Sequence, residues 1–266
     1  KEDRKPNMQN IPARNEFRNC FTARDGYSIV SVDYSGQELA IIAYGSQDPV
    51  WIKCRKNNED LHSVCAELVF GDKWRTGDKK ALRTMIKTIN FGLAYGMSKF
   101  KLSDTLNISV DEADKLIKKY FSAFPNIKAF LNKLGQYGVT NGFIRTFKPY
   151  RRIRWFPGWY KGIAFAAQDF KTKGSIERAS KNTPIQGTGA DMIKQSMILI
   201  REHIKKFKLP CYMVTQVHDE IGVEVRDDFA EEWAKLQCRL MKEAGAMIIK
   251  GFDMTVDYTI TKKWSK

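Results

Sequence analysis

The sequence predicts an α+β protein, with a helical insertion between the pieces of one β-sheet. The first observation is the segment YSIVSVDY (27–34), whose Val, Ile and Tyr content is typical of a buried strand. The second is the long run of helical patterns that follows this strand. The third is CYMVTQVHDEIGVEV (211–225), which alternates as two strands do when a tight turn at His218–Asp219 joins them.

The remaining elements follow in chain order. Residues 1–24 are predicted to be a loop, because Pro6 and Pro12 limit regular structure. A basic loop is predicted between Gly71 and Gly77, a strand and loop region over 142–160, and an irregular connection over 161–174. Helices are predicted from Gln37 to about Gly45, over 60–70 with Asp60 as N-cap, over 79–96, over 109–121 with a Ser109–Glu112 capping box, from Pro125 to about Gln136, over 184–206 and over about 228–248, and a final strand is predicted over about 252–261.

Composition indicates a folded globular chain. Its 266 residues can bury a hydrophobic core, 43% of them are hydrophobic and six are Trp. No apolar stretch approaches the roughly 18 residues of a transmembrane helix, so we expect no membrane span. The opening KEDRKPNMQN lacks the apolar segment of a signal peptide, and its polarity suggests that the chain begins inside a longer protein.

Charge and cysteine content narrow the functional classes. The chain carries 45 Lys and Arg against 30 Asp and Glu, a net charge of +15, so nucleic acid is the first candidate partner and a membrane surface the second. The five cysteines are far apart and form no CxxC pair. This spacing argues against a zinc ribbon or a disulfide framework and for a reducing compartment.

Two aspartates are placed where a sheet could bring them together. Asp33 stands at the end of the first strand, and Asp219 stands at the turn of the hairpin. If these strands are neighbours, the two carboxylates converge and repel one another, and a pair of divalent cations removes that penalty. Mg²⁺ prefers such oxygen ligands, and two ions about 3.5–4 Å apart can activate an attacking oxygen and stabilise a leaving one. The alternative is that each Asp only caps a turn.

One helix carries a mixed basic and aromatic face. Arg83, Lys87, Phe91 and Tyr95 are spaced four apart. Each such step turns by only about 40°, so all four share a broad face. The two cations can bind a polyphosphate, and the two aromatic planes suit a sugar and a base. An ordinary amphipathic helix could show the same spacing, although core faces normally carry Leu or Ile.

Three motifs resemble those of the family A (DNA polymerase I-like) DNA polymerases. DYSGQEL (33–39) resembles motif A, RTMIKTINFGLAYG (83–96) resembles motif B, and VHDE (217–220) resembles motif C. PNMQNIP (6–12) and IERASKNTPIQGTGAD (176–191) resemble two further family stretches, so five ordered motifs run from about residue 6 to the C-terminus. Gly36 resembles a phage-type variant of motif A, and Ala40 stands where family members usually carry Arg.

The resemblance implies the palm and fingers of a right-hand polymerase. The expected regions are a first part of the palm at 1–48, largely helical fingers at 49–170 with the nucleotide helix at about 79–96, and a second part of the palm at 171–266. The palm would be an antiparallel sheet with helices, and the thumb is expected to be absent from this chain. The implied function is the catalytic core of a template-directed DNA polymerase, which adds dNTPs to a primer 3′-hydroxyl by two-metal phosphoryl transfer and releases pyrophosphate.

The resemblance also implies catalytic roles. Asp33 and Asp219, helped by the carbonyl of Tyr34, would hold two Mg²⁺ ions, for which Mn²⁺ could substitute. Glu220 would lie near the metals and the primer end. Lys87 would supply a proton to the leaving pyrophosphate.

Nucleotide binding would fall mainly to the helix that carries motif B. Arg83 and Lys87 would bind the incoming triphosphate, Phe91 would stack near the sugar, and Tyr95 would lie by the templating position. Glu38 would lie under the 2′ position of the sugar and obstruct a ribose hydroxyl. Closure of the helix would test the nascent base pair.

A further set of residues would contact the substrates. His62 resembles a family position beside the nucleotide helix, although a structural histidine is an alternative. Contacts with primer or template near the terminal pair are implied for four residues, Arg178, Asn182, Gln186 and His218. From the residues alone, Gln186 could be a helix-cap residue and His218 a turn residue. Four arginines either contact the DNA backbone or belong to a solvated loop, namely Arg145, Arg151, Arg152 and Arg154.

The expected partners are primer-template DNA and dNTPs, without a membrane, and no replisome or processivity factor is identified. The chain is expected to be a monomer inside a cell, in the cytoplasm or nucleoid, in a phage-infected host or in an organelle. A single-subunit RNA polymerase is an alternative, which the bulky acid Glu38 disfavours. A binding module that has lost catalysis is another, and the retention of Asp33, Asp219, Arg83 and Lys87 argues against it.

Overall fold

The computed structural model describes residues 8–12, 14–156 and 170–264. The chain forms two compact units, one of Lys1–Gln37 with Gly189–Lys266 and one of Glu38–Thr188. The predicted division into palm and fingers at residues 48 and 170 describes functional regions, which these compact units do not test. It therefore stays a prediction.

The elements of the described residues combine many helices with one larger sheet. In chain order they are α1 (Asn15–Arg18), β1 (Tyr27–Tyr34), α2 (Gln37–Ser46), α3 (Pro49–Lys56), α4 (Leu61–Phe70), α5 (Asp72–Thr76), α6 (Lys79–Ala94), α7 (Lys99–Leu106), α8 (Val110–Ala123), α9 (Pro125–Asn141), β2 (Phe143–Arg145), β3 (Ile153–Trp155), α10 (Phe170–Phe207), β4 (Cys211–Val217), β5 (Glu220–Arg226), α11 (Ala230–Ile248) and β6 (Val256–Thr261). Short 3-10 helices occupy Met8–Asn10 and Asp227–Phe229. This mixture confirms the predicted α+β class.

The sheet of the first unit has the strand order β4–β5–β1–β6, and all its pairs are antiparallel. Strand β1 is buried along almost its whole length, as expected for a central strand. On one face, Val30 and Val32 are fully buried. On the same face, the hydroxyl of Tyr34 donates to the carbonyl of Met241 at 2.5 Å and lies 2.9 Å from Ser196 Oγ. Helices α10 and α11 therefore cover this side of the sheet.

The short helices of the second unit begin at well-formed N-caps. Side-chain oxygens accept hydrogen bonds from first-turn amides at the starts of α3, α4, α6, α7 and α8, where the capping residues are Asp48, Asp60, Asp78, Ser98 and Ser109. Ser109 and Glu112 form the predicted capping box. Each cap typically contributes about 1 kcal/mol, which explains why this part of the chain divides into many helices.

The structure differs from the predicted elements in several places. Helix α5 occupies the stretch between Gly71 and Gly77, so the prediction of a loop there is wrong. Helices α1, α3 and α7 are additional, and α3 has a sequence signal in its N-cap Asp48 and its first residue, Pro49. Helix α9 continues beyond its predicted end until Gly142 adopts the left-handed conformation, with a φ of 73°.

Helix α10 is longer than predicted. It begins at Phe170 and runs through Pro184, so the prediction of an irregular connection is wrong for residues 170–174. Proline favours the first helical turn, but here the longer helix contains Pro184 in its interior and tolerates the loss of one backbone hydrogen bond. Strands β2 and β3 pair inside the predicted strand and loop region, and β6 begins only at Val256. Parts of the predicted N-terminal loop and of the predictions over 142–174 lie outside the described residues.

Two further observations concern the cysteines and the apolar character of the helices. All five cysteines are free, so no disulfide framework is present among them. In the part of the chain that the structure describes, no helix combines the length and the apolar character needed to cross a membrane.

Candidate active site

Three carboxylates project from one face at one end of the sheet in the first unit. Asp33 is next to the last residue of β1, opposite Glu220 of β5 on one side and Asp257 of β6 on the other. Directly opposite residues of antiparallel strands project from the same face. The amide of Tyr34 donates to the carbonyl of Asp219 at 3.3 Å, which places the hairpin turn beside the end of β1. This position of the turn beside β1 is consistent with the expected convergence of Asp33 and Asp219.

The turn between β4 and β5 forms where the sequence predicts it. His218 is exposed and adopts the left-handed backbone conformation, with a φ of 53°. Its carbonyl accepts a hydrogen bond from Gln216 Nε2 at 2.8 Å. Asp219 follows at the turn and is half-buried. The tight turn therefore brings a carboxylate to the edge of the sheet, and His218 is a turn residue whatever else it does.

The carboxylate of Glu220 is buried and bound within the protein. The residue is 4% exposed. Trp264 Nε1 donates to Glu220 Oε1 at 2.7 Å, and Arg18 Nη1 lies 3.6 Å from Glu220 Oε2. The Arg18 guanidinium also lies over the Trp264 ring, 4.3 Å from its centroid. We call this group of Arg18, Glu220 and Trp264 the Glu220 cluster.

The donor set at this end of the sheet fits a hard cation. Within the described ranges, no group of three or more His, Cys, Asp or Glu side chains is placed to hold a metal ion jointly. Mg²⁺ does not need such a group, since it usually binds to one or two carboxylates and takes its other ligands from water and substrate phosphates. Asp33 supplies a carboxylate near the end of β1, and Asp219 supplies one from the hairpin turn beside it. These ligands suit Mg²⁺ better than Zn²⁺, which prefers His and Cys.

Helix α6 of the second unit presents the predicted mixed face. Arg83 and Lys87 are exposed, and Phe91 and Tyr95 are half-buried. The opposite face is apolar, and Ile86 on it is fully buried. The buried face fixes the helix within its unit and leaves the two cations on its exposed side.

Arg83 is held in a bidentate ion pair with Asp60. Its Nε and Nη2 donate to the two carboxylate oxygens of Asp60 at 2.7 and 2.8 Å, while Nη1 takes no part in the pair. Asp60 also caps α4 by accepting from the amide of Ser63 at 3.1 Å. The Arg83 guanidinium holds the pKa of Asp60 well below its usual range, and Asp60 in turn raises the pKa of Arg83. Asp60, at the start of α4, therefore fixes the direction of the Arg83 guanidinium.

His62 lies in α4 beside the same face. It is 8% exposed, and its Nδ1 accepts a hydrogen bond from the side-chain amide of Asn90 at 3.0 Å. Burial lowers the pKa of His62, and the cations of α6 lower it further against the opposing effect of Asp60. The Phe91 ring centroid is 6.0 Å from the imidazole. A neutral His62 can offer its Nε2 hydrogen to a ligand but does not supply a positive charge.

Glu38 approaches the end of α6 in the second unit. The hydroxyl of Tyr95 is buried near the carboxylate of Glu38 and the amide of Gln186, and among the described residues it makes no hydrogen bond of good geometry. Burial and the negative charge of Glu38 raise the pKa of Tyr95 well above its usual range, so the phenol stays neutral. Glu38 lies in the first turn of α2, where the helix dipole favours a carboxylate. Two residues with predicted nucleotide roles, Glu38 and Tyr95, are thus brought together.

The α10 residues with predicted DNA contacts have different surroundings. Gln186 is exposed in the interior of the helix, so the alternative of a helix-cap residue is wrong. Asn182 is half-buried, and within the described part of the chain its Oδ1 has no hydrogen-bond partner. Arg178 lies against Gly96, since a Cβ at Gly96 would lie 3.0 Å from Arg178 Cγ. Gly96 also has a positive φ of 75°, so a glycine is required where motif B ends beside Arg178.

The comparison with known proteins identifies the family. The family model described as DNA polymerase family A matches residues 2–266. The chain belongs to DNA polymerase family A. The thermostable DNA polymerase I of Thermus filiformis is 34% identical over 243 residues, which cover 90% of this chain and 28% of that relative. DNA polymerase I of Deinococcus radiodurans is 35% identical over 241 residues, which cover 89% of this chain and 24% of that relative.

A solved structure of a polymerase domain is also similar. It is the POL domain of Pol1 from M. smegmatis in complex with DNA primer-template and dNTP. The two structures have a TM-score of 0.86 at 31% identity, over 97% of this chain and 44% of that chain. This similarity confirms the predicted polymerase fold, in which an antiparallel sheet is combined with a largely helical part. The chain nevertheless spans only about a quarter of the length of the curated relatives described above.

One departure from the usual family A pattern lies beside the residue expected to exclude ribose. Ala40, noted above as a departure from motif A, is fully buried in α2. A buried Arg at this position would require a partner for its charge, whereas Ala requires none. Ala40 therefore adds no charge to the surroundings of Glu38, two residues earlier.

Several residues of these clusters escaped the sequence reasoning. Arg18 and Trp264 are far from Glu220 along the chain, and no local pattern links them to it. Asp60 was identified only as a helix cap, although its carboxylate also binds Arg83. Asp257 faces Asp33 across the β1–β6 pair, and only the strand register reveals it.

Proposed function

We propose that the chain is the catalytic core of a template-directed DNA polymerase, which adds dNTPs to a primer 3′-hydroxyl and releases pyrophosphate. The observation that carries this proposal is that, in a family A chain, the hairpin turn with Asp219 lies beside the end of β1, which carries Asp33. The similar M. smegmatis domain was solved with primer-template and dNTP, which supports the same substrates here. The net charge of +15 suits DNA as the partner.

Two divalent cations, Mg²⁺ or in its place Mn²⁺, are the proposed cofactors. The carboxylates of Asp33 and Asp219 would hold them, together with the carbonyl of Tyr34. When bound, such ions activate the attacking oxygen and stabilise the leaving one. The contribution of the chain is to fix one carboxylate near the end of β1 and the other in the adjoining turn, so that no reorganisation is needed when the substrate arrives. Glu220 is proposed to contribute from its buried position behind them.

The face of α6 is proposed to bind the incoming dNTP. Arg83 and Lys87 would bind the triphosphate, and Lys87 would also give a proton to the leaving pyrophosphate. Phe91 would stack near the sugar, and Tyr95 would lie by the templating position. Asp60 orients the Arg83 guanidinium beforehand, which reduces the entropy lost on binding.

Primer-template DNA is the proposed partner of exposed and half-buried polar residues. The proposed contacts are made by Arg178, Asn182, Gln186 and His218. His62 would donate from Nε2 to a phosphate of the dNTP. The protein is proposed to act as a monomer, without a membrane.

Template-directed synthesis is tested by single-nucleotide primer extension. Primer-templates that differ only in the templating base are each offered every dNTP separately in the presence of Mg²⁺. We expect each template to accept its complementary dNTP, and we expect a chelator to stop the reaction. Binding of the DNA without any extension would instead identify a binding module without catalysis.

Glu38→Ala is expected to admit ribonucleotides. The change removes the carboxylate proposed to lie under the 2′ position, so the preference for dNTP over rNTP should fall by roughly 10–200-fold, the usual range for steric selection between similar substrates. The measurement is kcat/KM for dCTP and CTP on one template.

The control for this change is Glu243→Ala, which removes an exposed acid from α11 and should leave the preference unchanged. An unaltered preference in Glu38→Ala would contradict the assignment of Glu38. A wild-type chain that prefers rNTP would favour the single-subunit RNA polymerase alternative.

A further inference from the structure

The second unit contains an open groove of about 630 Å³. None of the residues to which a role is proposed above lies in the wall of this groove. It lies among the end of α2, helix α9 and the segment that follows β2. The rings of Phe130 and Phe147 line it, with their centroids 6.2 Å apart. We call it the Phe130–Phe147 groove.

The two rings lie directly on the backbone of α2. A Cβ at Gly45 would lie 2.6 Å from Phe130 Cζ and 2.8 Å from Phe147 Cζ, so only glycine permits this approach. Tyr44 adds an edge contact, with its ring centroid 5.8 Å from that of Phe147. The rings are therefore held in place as a fixed aromatic surface, which is a requirement for stacking with a ligand.

Every charged residue that lines the groove is basic. Lys133 and Lys148 are exposed, and Arg145 and Arg151 complete the set. No acidic side chain is found among the described lining residues. The groove therefore presents a positive potential to a polyanion that enters it.

We propose that the Phe130–Phe147 groove binds single-stranded nucleic acid, and that its occupant during synthesis is the uncopied template strand. Aromatic rings stack with bases while cations neutralise phosphates, and this combination is typical of sites for single strands. A duplex has its base faces already stacked, so it cannot use the rings. An acidic peptide would use the cations but would leave the rings without a partner. The assignment to the template rests on the proposed function, whereas single-strand binding does not.

The electrostatic part is tested with a fluorescent oligothymidylate, whose affinity is measured by anisotropy over a range of salt concentrations. The variant Lys133→Ala/Lys148→Ala removes two cations from the groove. Each phosphate contact on a single strand contributes about 0.7 to the slope of log affinity against log salt, so the slope should fall by about 1.4. The matched control, Lys115→Ala/Lys119→Ala, removes two exposed cations from α8 in the same unit and should leave the slope unchanged.

The aromatic part is tested with Phe147→Leu, which keeps an apolar side chain but removes the ring. Stacking on one ring is worth about 1–3 kcal/mol, so the affinity should weaken by roughly 5- to 150-fold. Circular dichroism of the variant checks that the fold is retained. The Lys133→Ala/Lys148→Ala variant is surface-exposed and keeps the test valid if Phe147→Leu fails to fold.

Three outcomes would overturn the inference. The first is an equal loss of affinity in the control pair, and the second is an equal loss for blunt duplex and single strand. The third is competition by polyglutamate as strong as that by unlabelled oligothymidylate.

The assignment to the template strand has its own test. The variants should weaken the binding of a primer-template with a long single-stranded overhang but not of one with a single-nucleotide overhang. A wild-type chain that binds the oligonucleotide but never extends a primer would contradict the proposed function and leave the groove supported.

Discussion

Replacing Asp219 by Asn is expected to abolish primer extension without weakening the binding of primer-template DNA. Asn keeps the size of the side chain and the backbone carbonyl that accepts from the Tyr34 amide at 3.3 Å, so the hairpin should keep its position. The change removes one of the two carboxylates proposed to hold the cations. Metal stabilisation of phosphoryl transfer is worth several kcal/mol, so the rate should fall by roughly 10³-fold or more.

The measurement is single-turnover extension, with DNA affinity recorded separately by anisotropy. Asp33→Asn should cause a comparable loss, because both carboxylates act on the same cations in the proposal. The control is Asp25→Asn, which removes an exposed carboxylate from the turn before β1 and should extend at the wild-type rate. Extension by Asp219→Asn at a rate close to that of the wild type would contradict the assignment of this carboxylate.

The elements that carry the proposed chemistry could be predicted because their signals are local. Strand β1 is a short run of β-branched residues and Tyr, and the β4–β5 hairpin alternates on both sides of its turn. The spacing of α6 places Arg83, Lys87, Phe91 and Tyr95 on one face, whatever the helix packs against. In the structure Arg83 and Lys87 are exposed, whereas Phe91 and Tyr95 are half-buried.

The partners of these residues could not be predicted, because they depend on contacts between distant parts of the chain. The strand order β4–β5–β1–β6 makes Asp257 a neighbour of Asp33, and nothing in the segment around Asp257 indicates this pairing. Glu38 and Tyr95 likewise approach one another only when α2 and α6 are folded together in their unit. Sequence patterns therefore indicate which side chains are exposed on each element but not which ones meet.

Short helices were the weakest part of the prediction for a related reason. Helices α5 and α7 are too short for apolar periodicity to be evident, and α5 lies in a basic, glycine-flanked stretch that favours a loop. The cap at Ser98 is an available local signal for α7. Capping residues are thus more informative than periodicity for helices of this length.

Replacing Arg18 by Met is expected to destabilise the first unit by about 3–5 kcal/mol. This is the usual cost of leaving one charge of a buried ion pair without its partner. The side chains of Arg18 and Glu220 are each 6% exposed. Met fills much of the space of the Arg stem, so the main change is that the Glu220 carboxylate loses its cation. The measurement is hydrogen exchange of the β1 and β5 amides over a range of urea concentrations, which reports on the first unit alone.

The matched control is Arg226→Met. Arg226, the last residue of β5, pairs with Asp228, because its Nε donates to Asp228 Oδ1 at 2.6 Å, but the two side chains are 55% and 64% exposed. Exposed ion pairs are worth about 0–1 kcal/mol, so this variant should be nearly as stable as the wild type. If the two replacements lower the free energy of unfolding equally, burial is not the reason why the Arg18–Glu220 ion pair stabilises the first unit.

The double variant Arg18→Met/Glu220→Gln separates charge from packing in the Glu220 cluster. Gln can still accept from Trp264 Nε1, as Glu220 does at 2.7 Å, but it carries no buried charge that needs Arg18. Arg18 Nε and Nη1 are buried without a hydrogen-bond partner in the described structure, so removing the guanidinium also removes an unfavourable burial. The double variant should therefore recover most of the stability that Arg18→Met loses, and a failure to recover would show that packing, not charge, is responsible. If stability returns while primer extension remains low, the charge of Glu220 acts in catalysis, because its structural role has then been replaced.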